Sequence, residues 1–160
     1  MALFKAALHL PLLPMAPSLP LLIVALCTAN LTTVAFAENV DVQTVSASNP
    51  GKTASIPASL KKYEQELKDE PFSTFTDSGH DSVTAAAGGA AGTCTVAGYA
   101  VEVTVMEKSD GAKVKVQITI KQGGKAVGQP WKTELKDAHP LRVKVGEPKA
   151  PVIFFFTYNK

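Results

Sequence analysis

The stretch YAVEVTVMEKSDGAKVKVQITIK, residues 99–121, decides the fold. Tyr99, Val101, Val103 and Val105 fall on every second position, and after Ser109-Asp110-Gly111 the alternation resumes at Val114, Val116, Ile118 and Ile120. Lys113, Lys115, Gln117, Thr119 and Lys121 fill the gaps of the second run. A period of two built on β-branched residues gives each segment one apolar face and one wet face. Asp-Gly between two such runs signals a tight turn, because glycine supplies the positive φ that the turn requires. The sequence therefore predicts a β-hairpin here.

Downstream, Gln122-Gly123-Gly124-Lys125 marks a second turn, and residues 125–135 continue as a strand interrupted by Gly128 and Pro130. Proline has no N–H to give a ladder, so this strand is expected at a sheet edge or with a bulge. In residues 140–146, Leu141, Val143 and Val145 alternate with Arg142 and Lys144. The last segment, 151–158, is apolar at every position from Val152 to Phe156. A strand apolar on both faces needs cover on both, from the helix or from a second sheet layer.

Upstream, Cys94 opens a strand over 94–107. The Ala/Gly run 85–92 offers little to bury and reads as a mobile connection; no Lys-Ser or Lys-Thr follows its glycines to make a phosphate loop. Residues 77–82, DSGHDS, read as a polar turn after a short strand at 72–76. Leu60, Tyr63 and Leu67 form one apolar stripe of a helix over 57–69, opened by Pro57 and ended by Pro71. Residues 38–54 are small and polar and read as a flexible linker ahead of one domain, 55–160. The expected class is α+β, mainly β. One N-terminal helix precedes a mostly antiparallel meander of six or seven strands, forming a two-layer sandwich, an open roll or a small barrel.

Residues 1–37 resemble a secretory signal peptide. Lys5 is the one charge, Leu19–Leu26 is apolar, and Ala35-Phe36-Ala37 places small side chains where a signal peptidase reads, with cleavage after Ala37. Pro11, Pro14, Pro17 and Pro20 confine any helix to the residues beyond them, short of the roughly 20 apolar residues of a membrane span. No stable membrane span is expected once the signal is removed. Cleavage takes Cys27 and leaves Cys94 alone, so the core must hold without an internal disulfide.

The sequence holds no Gly-x-Ser-x-Gly elbow, no His-Glu-x-x-His and no Cys-x-x-Cys. Asp77, His80 and Asp81 are the residues nearest to a metal or acid–base cluster, but the same letters suit side chains that cap their own backbone. Cys94 is the candidate reactive thiol; the alternatives are an inert buried thiol or a crosslink between two copies. Lys113, Lys115, Lys121, Arg142 and Lys144 lie on polar strand faces, with Lys125, Lys132 and Lys136 close by, and could form a basic strip for an anionic polymer. Trp131 alternates with Val127 and Leu135 and reads as a core or rim residue rather than a ligand platform. No catalytic residue, metal or cofactor is expected.

These features imply an exported, non-catalytic β-rich module of a bacterial cell envelope. Its partner is expected to be another envelope or secreted protein, met at a strand edge near Ala126–Leu135 or at the helix face. The alternatives are a polyanion- or glycan-binding domain using the basic strip, and a small exported enzyme or enzyme inhibitor.

Overall fold

A computed structural model describes residues 37–50, 54–109 and 112–159. Apart from Ala37, the leader read at residues 1–37 lies outside them. The described elements in chain order are β1 (Ala37–Pro50), a 3-10 helix (Ala58–Tyr63) running into α1 (Glu64–Lys68), and β2 (Phe72–Ala86). There follow β3 (Gly92–Val96), β4 (Tyr99–Ser109), β5 (Lys113–Gln122), β6 (Lys125–Ala126), β7 (Trp131–Lys136), β8 (Leu141–Glu147) and β9 (Ala150–Asn159). The strands form two antiparallel sheets and no closed barrel. One has the order β2-β1-β9-β8; in the other, β3-β4-β5, both β6 and β7 pair with β5.

The hairpin predicted from residues 99–121 is present: Val101 lies opposite Ile120, Val103 opposite Ile118, and Val105 opposite Val116. All six are fully buried. The segment read as one strand from Cys94 is itself a hairpin, because Ala97 and Gly98 both take positive φ (51° and 77°). A two-residue turn of that hand matches the right-handed twist of the strands it joins.

The inner faces of the two sheets share one core. Val40, Val42, Val143, Val145, Phe154, Phe156 and Tyr158 from the first sheet meet Cys94, Val96, Tyr99 and the valines and isoleucines of β4 and β5. The Tyr99 ring stands edge-on to Phe154, with centroids 5.4 Å apart. The outer face of the first sheet is covered at one end by the helical segment: Leu60, Tyr63 and Leu67 pack on Val45, Ala47, Phe72, Phe75, Ile153 and Phe155. The stripe of the helix thus points where the sequence placed it, although its first turn is 3-10. That tighter coil brings Leu60 and Tyr63, three residues apart, into line over the sheet.

Three expectations are corrected. Residues 38–54 are not a flexible linker through their first part, because β1 is a 14-residue strand paired on both sides, with β2 and with β9. Its alternation changes phase midway: Val40 and Val42 enter the core between the sheets, whereas Val45 and Ala47 enter the core under the helical segment. No single period survives that change. Residues 77–82 are not a turn but the middle of β2, where Ser78 bulges out between the pairs Thr44–Gly79 and Val45–Asp77. Gly79 has φ 143°, and a Cβ there would stand 3.0 Å from the Val96 side chain. The Ala/Gly run ends β2 and opens β3, tied by a hydrogen bond from the Gly88 N–H to the Val105 carbonyl (3.0 Å). A Cβ on Gly92 would lie 2.4 Å from the Thr84 carbonyl, so glycine lets the sheets meet at this corner.

The meander is also only partial. The second sheet is one, but β9 is inserted between β1 and β8 in the first, and the described residues form nine strands, not six or seven.

Tyr63 stacks on Phe155 with centroids 4.3 Å apart, and its buried hydroxyl has no hydrogen-bond partner among the described residues. Tyr63→Phe should therefore leave stability unchanged or raise it, by up to about 1 kcal/mol. Phe155→Ala should cost about 3–5 kcal/mol through the cavity it leaves. Denaturant titration reads both, and a clear loss in Tyr63→Phe would show that the hydroxyl has a partner.

Candidate functional site

The five cations singled out from the sequence do not form one strip. Lys113, Lys115 and Lys121 stand on β5, on the outer face of the second sheet; Arg142 and Lys144 stand on β8, on the outer face of the first. Their neighbours Val143 and Val145 fill the core between the sheets, so the two groups face away from one another. Each cation also has a carboxylate. Lys113 lies 3.4 Å from Glu134, Lys115 lies 2.7 Å from Glu107, and Lys121 pairs with Glu102. The hydrogen bond between Lys115 and Glu107, aided by their attraction, holds the Glu107 carboxyl below its usual range and the Lys115 ammonium above its own. An anionic polymer would have to displace these carboxylates.

Glu70 takes both remaining cations: Arg142 at 2.8 Å and Lys144 at 2.9 Å. The Glu70 side chain is 2% exposed, and an ionised carboxylate that deep needs such partners. Arg142 also donates to the Glu66 carbonyl (2.9 Å) in α1. Both cations therefore clamp the helical segment to β8. Sequence reasoning missed Glu70, whose partners lie more than seventy residues along the chain.

The Asp77, His80, Asp81 cluster is spent on the bulge of β2. Gln43 Nε2 donates to Asp77 Oδ1 (2.7 Å) and to the Gly79 carbonyl (2.9 Å), and the Thr44 hydroxyl donates to that same carbonyl (2.9 Å). The Gly79 N–H donates to Asp77 Oδ1 (3.2 Å), and the Ser82 N–H donates to Asp81 Oδ1 (2.8 Å). These bonds satisfy the bulged backbone, while His80 lies exposed. Among the described residues no three His, Cys, Asp or Glu side chains are placed to hold a metal ion.

Cys94 sits on the inner face of β3, in the core between the sheets. Burial, with the Asp81 charge nearby, pushes its thiol up to about 11. It is therefore a protonated thiol at neutral pH, the unreactive form.

The segment Ala126–Leu135 is a sheet edge, as Pro130 led one to expect. Among the described residues β6 pairs with β5, β7 pairs with β5 and, at its end, Lys136 bridges to His139; the chain leaves the ladder at Gly128-Gln129-Pro130 between β6 and β7. Trp131 is half-buried at the rim of the core, and its ring lies against Gly128. The outward side of β7 carries Lys132, Glu134 and Lys136. Among the described residues, Lys132, Lys136 and Lys125 of β6 have no carboxylate partner. An apolar depression of about 340 Å³ adjoins β7, lined by Met106, Lys115, Val116, Lys132, Thr133 and Glu134. Met106, 50% exposed, is the one large exposed hydrophobic residue among the described residues.

No protein-family model, curated protein or solved structure matches this chain. The edge must be interpreted from its own geometry. No described helix is long and apolar enough to cross a membrane.

At the far end of β9, the Tyr158 hydroxyl donates to Glu38 Oε2 (2.6 Å) in a buried contact. That hydrogen bond, then burial and the Glu38 and Asp137 charges, push the phenol up to about 12. An unfolded tyrosine ionises near 10, so this contribution to stability is complete below about pH 10 and disappears as pH rises through 12. Tyr158→Phe should flatten the alkaline fall in stability across that window, as measured by urea unfolding at several pH values. For Cys94, a maleimide should label the folded protein at neutral pH far more slowly than the urea-unfolded one. Equal rates would place the thiol at the surface.

Proposed function

We propose that this protein is an exported, non-catalytic β-module of a bacterial cell envelope, and that it binds another envelope or secreted protein by accepting one of its strands along β7. The observation that carries this reading is the outer edge of β7, unpaired from Trp131 to Leu135 among the described residues, with the depression containing the exposed Met106 on the sheet face that Lys132 and Glu134 share. A sheet edge offers a row of backbone donors and acceptors to an incoming strand, and side-chain pockets beside it add selectivity. Export is supported by the leader-like sequence ending at Ala37, immediately before the buried Glu38 of β1. The absence of catalysis is supported by what the chemically reactive groups are engaged in. Cys94 is packed in the core, Asp77 holds a strand bulge, and Glu70 holds the helical segment.

The helix face, the other docking surface the sequence suggested, has less to offer: its apolar side chains are consumed by the outer face of the first sheet. The basic strip is neutralised by its own carboxylates, so polyanion binding takes second place to strand addition.

The test is site-specific photo-crosslinking in the producing cells. A photoreactive residue at Lys132 or Glu134 on β7 should give a discrete adduct with another envelope protein. The same residue at Thr93 or Thr95, exposed on β3 at the opposite edge of the sheet, should not. Equal adducts from both edges, or none from β7, would defeat the proposal.

A further inference from the structure

The lysines on the outer faces of the two sheets are not treated alike. On β5 and β8, the predicted strip, every cation has a carboxylate within ion-pair distance. On β6 and β7 three lysines have none among the described residues: Lys125, Lys132 and Lys136. The one carboxylate of β7, Glu134, is turned inward along the sheet to Lys113 of β5, 3.4 Å away. Its ion-pair contact is thus made with β5 and not with Lys132 or Lys136. Register fixes the consequence. Gln117 lies opposite Lys132, Lys115 opposite Glu134, and Lys113 opposite Lys136. Lys132 and Lys136 thus stand two strand steps apart on either side of Glu134, on the same face, about 13 Å from one another along the strand.

We propose that the strand received by β7 is acidic, with carboxylates four residues apart that face Lys132 and Lys136 and, midway between them, an apolar side chain on the face of the Met106 depression. This rests on the reading of β7 as a strand-accepting edge and names the chemistry of what it accepts. In an antiparallel or parallel addition, side chains directly across the new ladder lie about 5 Å apart, and opposite charges there are favourable while like charges oppose pairing. Lysines on an open edge repel another lysine-bearing edge, which keeps copies of the protein from pairing with each other. An acidic strand turns that repulsion into attraction. The selectivity comes from Lys132 and Lys136, the same side chains that guard the β7 edge. A flexible polyanion such as heparin would use the charges but could not pair with the backbone of β7, nor use the apolar depression.

The probes are three: a ten-residue peptide with two glutamates four residues apart, a valine midway between them and threonines elsewhere, its counterpart with lysine in place of glutamate, and heparin. Each is added to the folded protein at low salt, and backbone amide exchange is followed by NMR. The glutamate peptide should slow exchange at outward-facing amides of Trp131–Leu135 by tenfold or more, and Lys132→Glu with Lys136→Glu should abolish that protection. Both lysines are exposed on the sheet surface, so the variant keeps the fold, as its unchanged amide spectrum elsewhere should show. Protection by glutamate and lysine peptides alike would overturn the acidic preference and leave strand addition standing. Protection by neither would overturn both readings. Heparin shifting the lysine signals, with no peptide protecting β7, would overturn the proposal in favour of simple polyanion binding.

Discussion

β9 must be covered on both faces, and the rest of the structure follows from how that is done. Phe154, Phe156 and Tyr158 point to one side, Ile153 and Phe155 to the other, and all five are inaccessible to solvent. Each large side chain buried in this way contributes about 1.5–3 kcal/mol relative to exposure. Leaving either face bare would remove a large fraction of a typical domain's margin of 5–15 kcal/mol, taken as roughly that range. One sheet cannot cover both faces of its own strand. The second sheet covers one, and the helical segment covers the other.

That arrangement also sets where polar chemistry can exist. The buried carboxylates tie layers together: Glu70 joins the helical segment to β8, and Glu38 joins β1 to Tyr158 of β9. Gln43, Thr44 and Asp77 satisfy the bulge that lets β2 stay paired along β1. Cys94 is the one free cysteine among the described residues, so these contacts and the two apolar cores hold the described fold without a crosslink between described residues. The groups that might have formed a reactive site are used to hold the scaffold. Among the described residues, the surface keeps a strand edge, three lysines without a carboxylate partner and the exposed Met106.

Much of the candidate site was legible in the sequence, and the illegible part has a definite cause. Pro130 and Gly128 mark β6–β7 as an edge because a missing N–H and a positive φ are local properties. The charge balance is not local. Lys113, Lys115 and Lys121 look like members of a basic strip until register brings Glu134, Glu107 and Glu102 beside them. Glu70 carries no sign of its role, since Arg142 and Lys144 approach it only when β8 packs beside the helical segment. Lys125, Lys132 and Lys136, by contrast, look no different from the others in sequence and are distinguished only by lacking such a neighbour.

The sequence by itself determined several elements whose burial has one phase. The hairpin at 99–121, the stripe Leu60-Tyr63-Leu67 and the doubly apolar run at Val152–Phe156 each follow from a period read over a few residues. Only the tertiary structure decided β1, where Val40 and Val42 serve one core and Val45 and Ala47 the other. It also decided the bulged course of β2 and the insertion of β9 between β1 and β8. Those depend on which layer covers which half of a strand, and that is settled by contacts more than a hundred residues apart, such as Glu38 with Tyr158. A local pattern records which side of a residue is buried. It does not record what buries it.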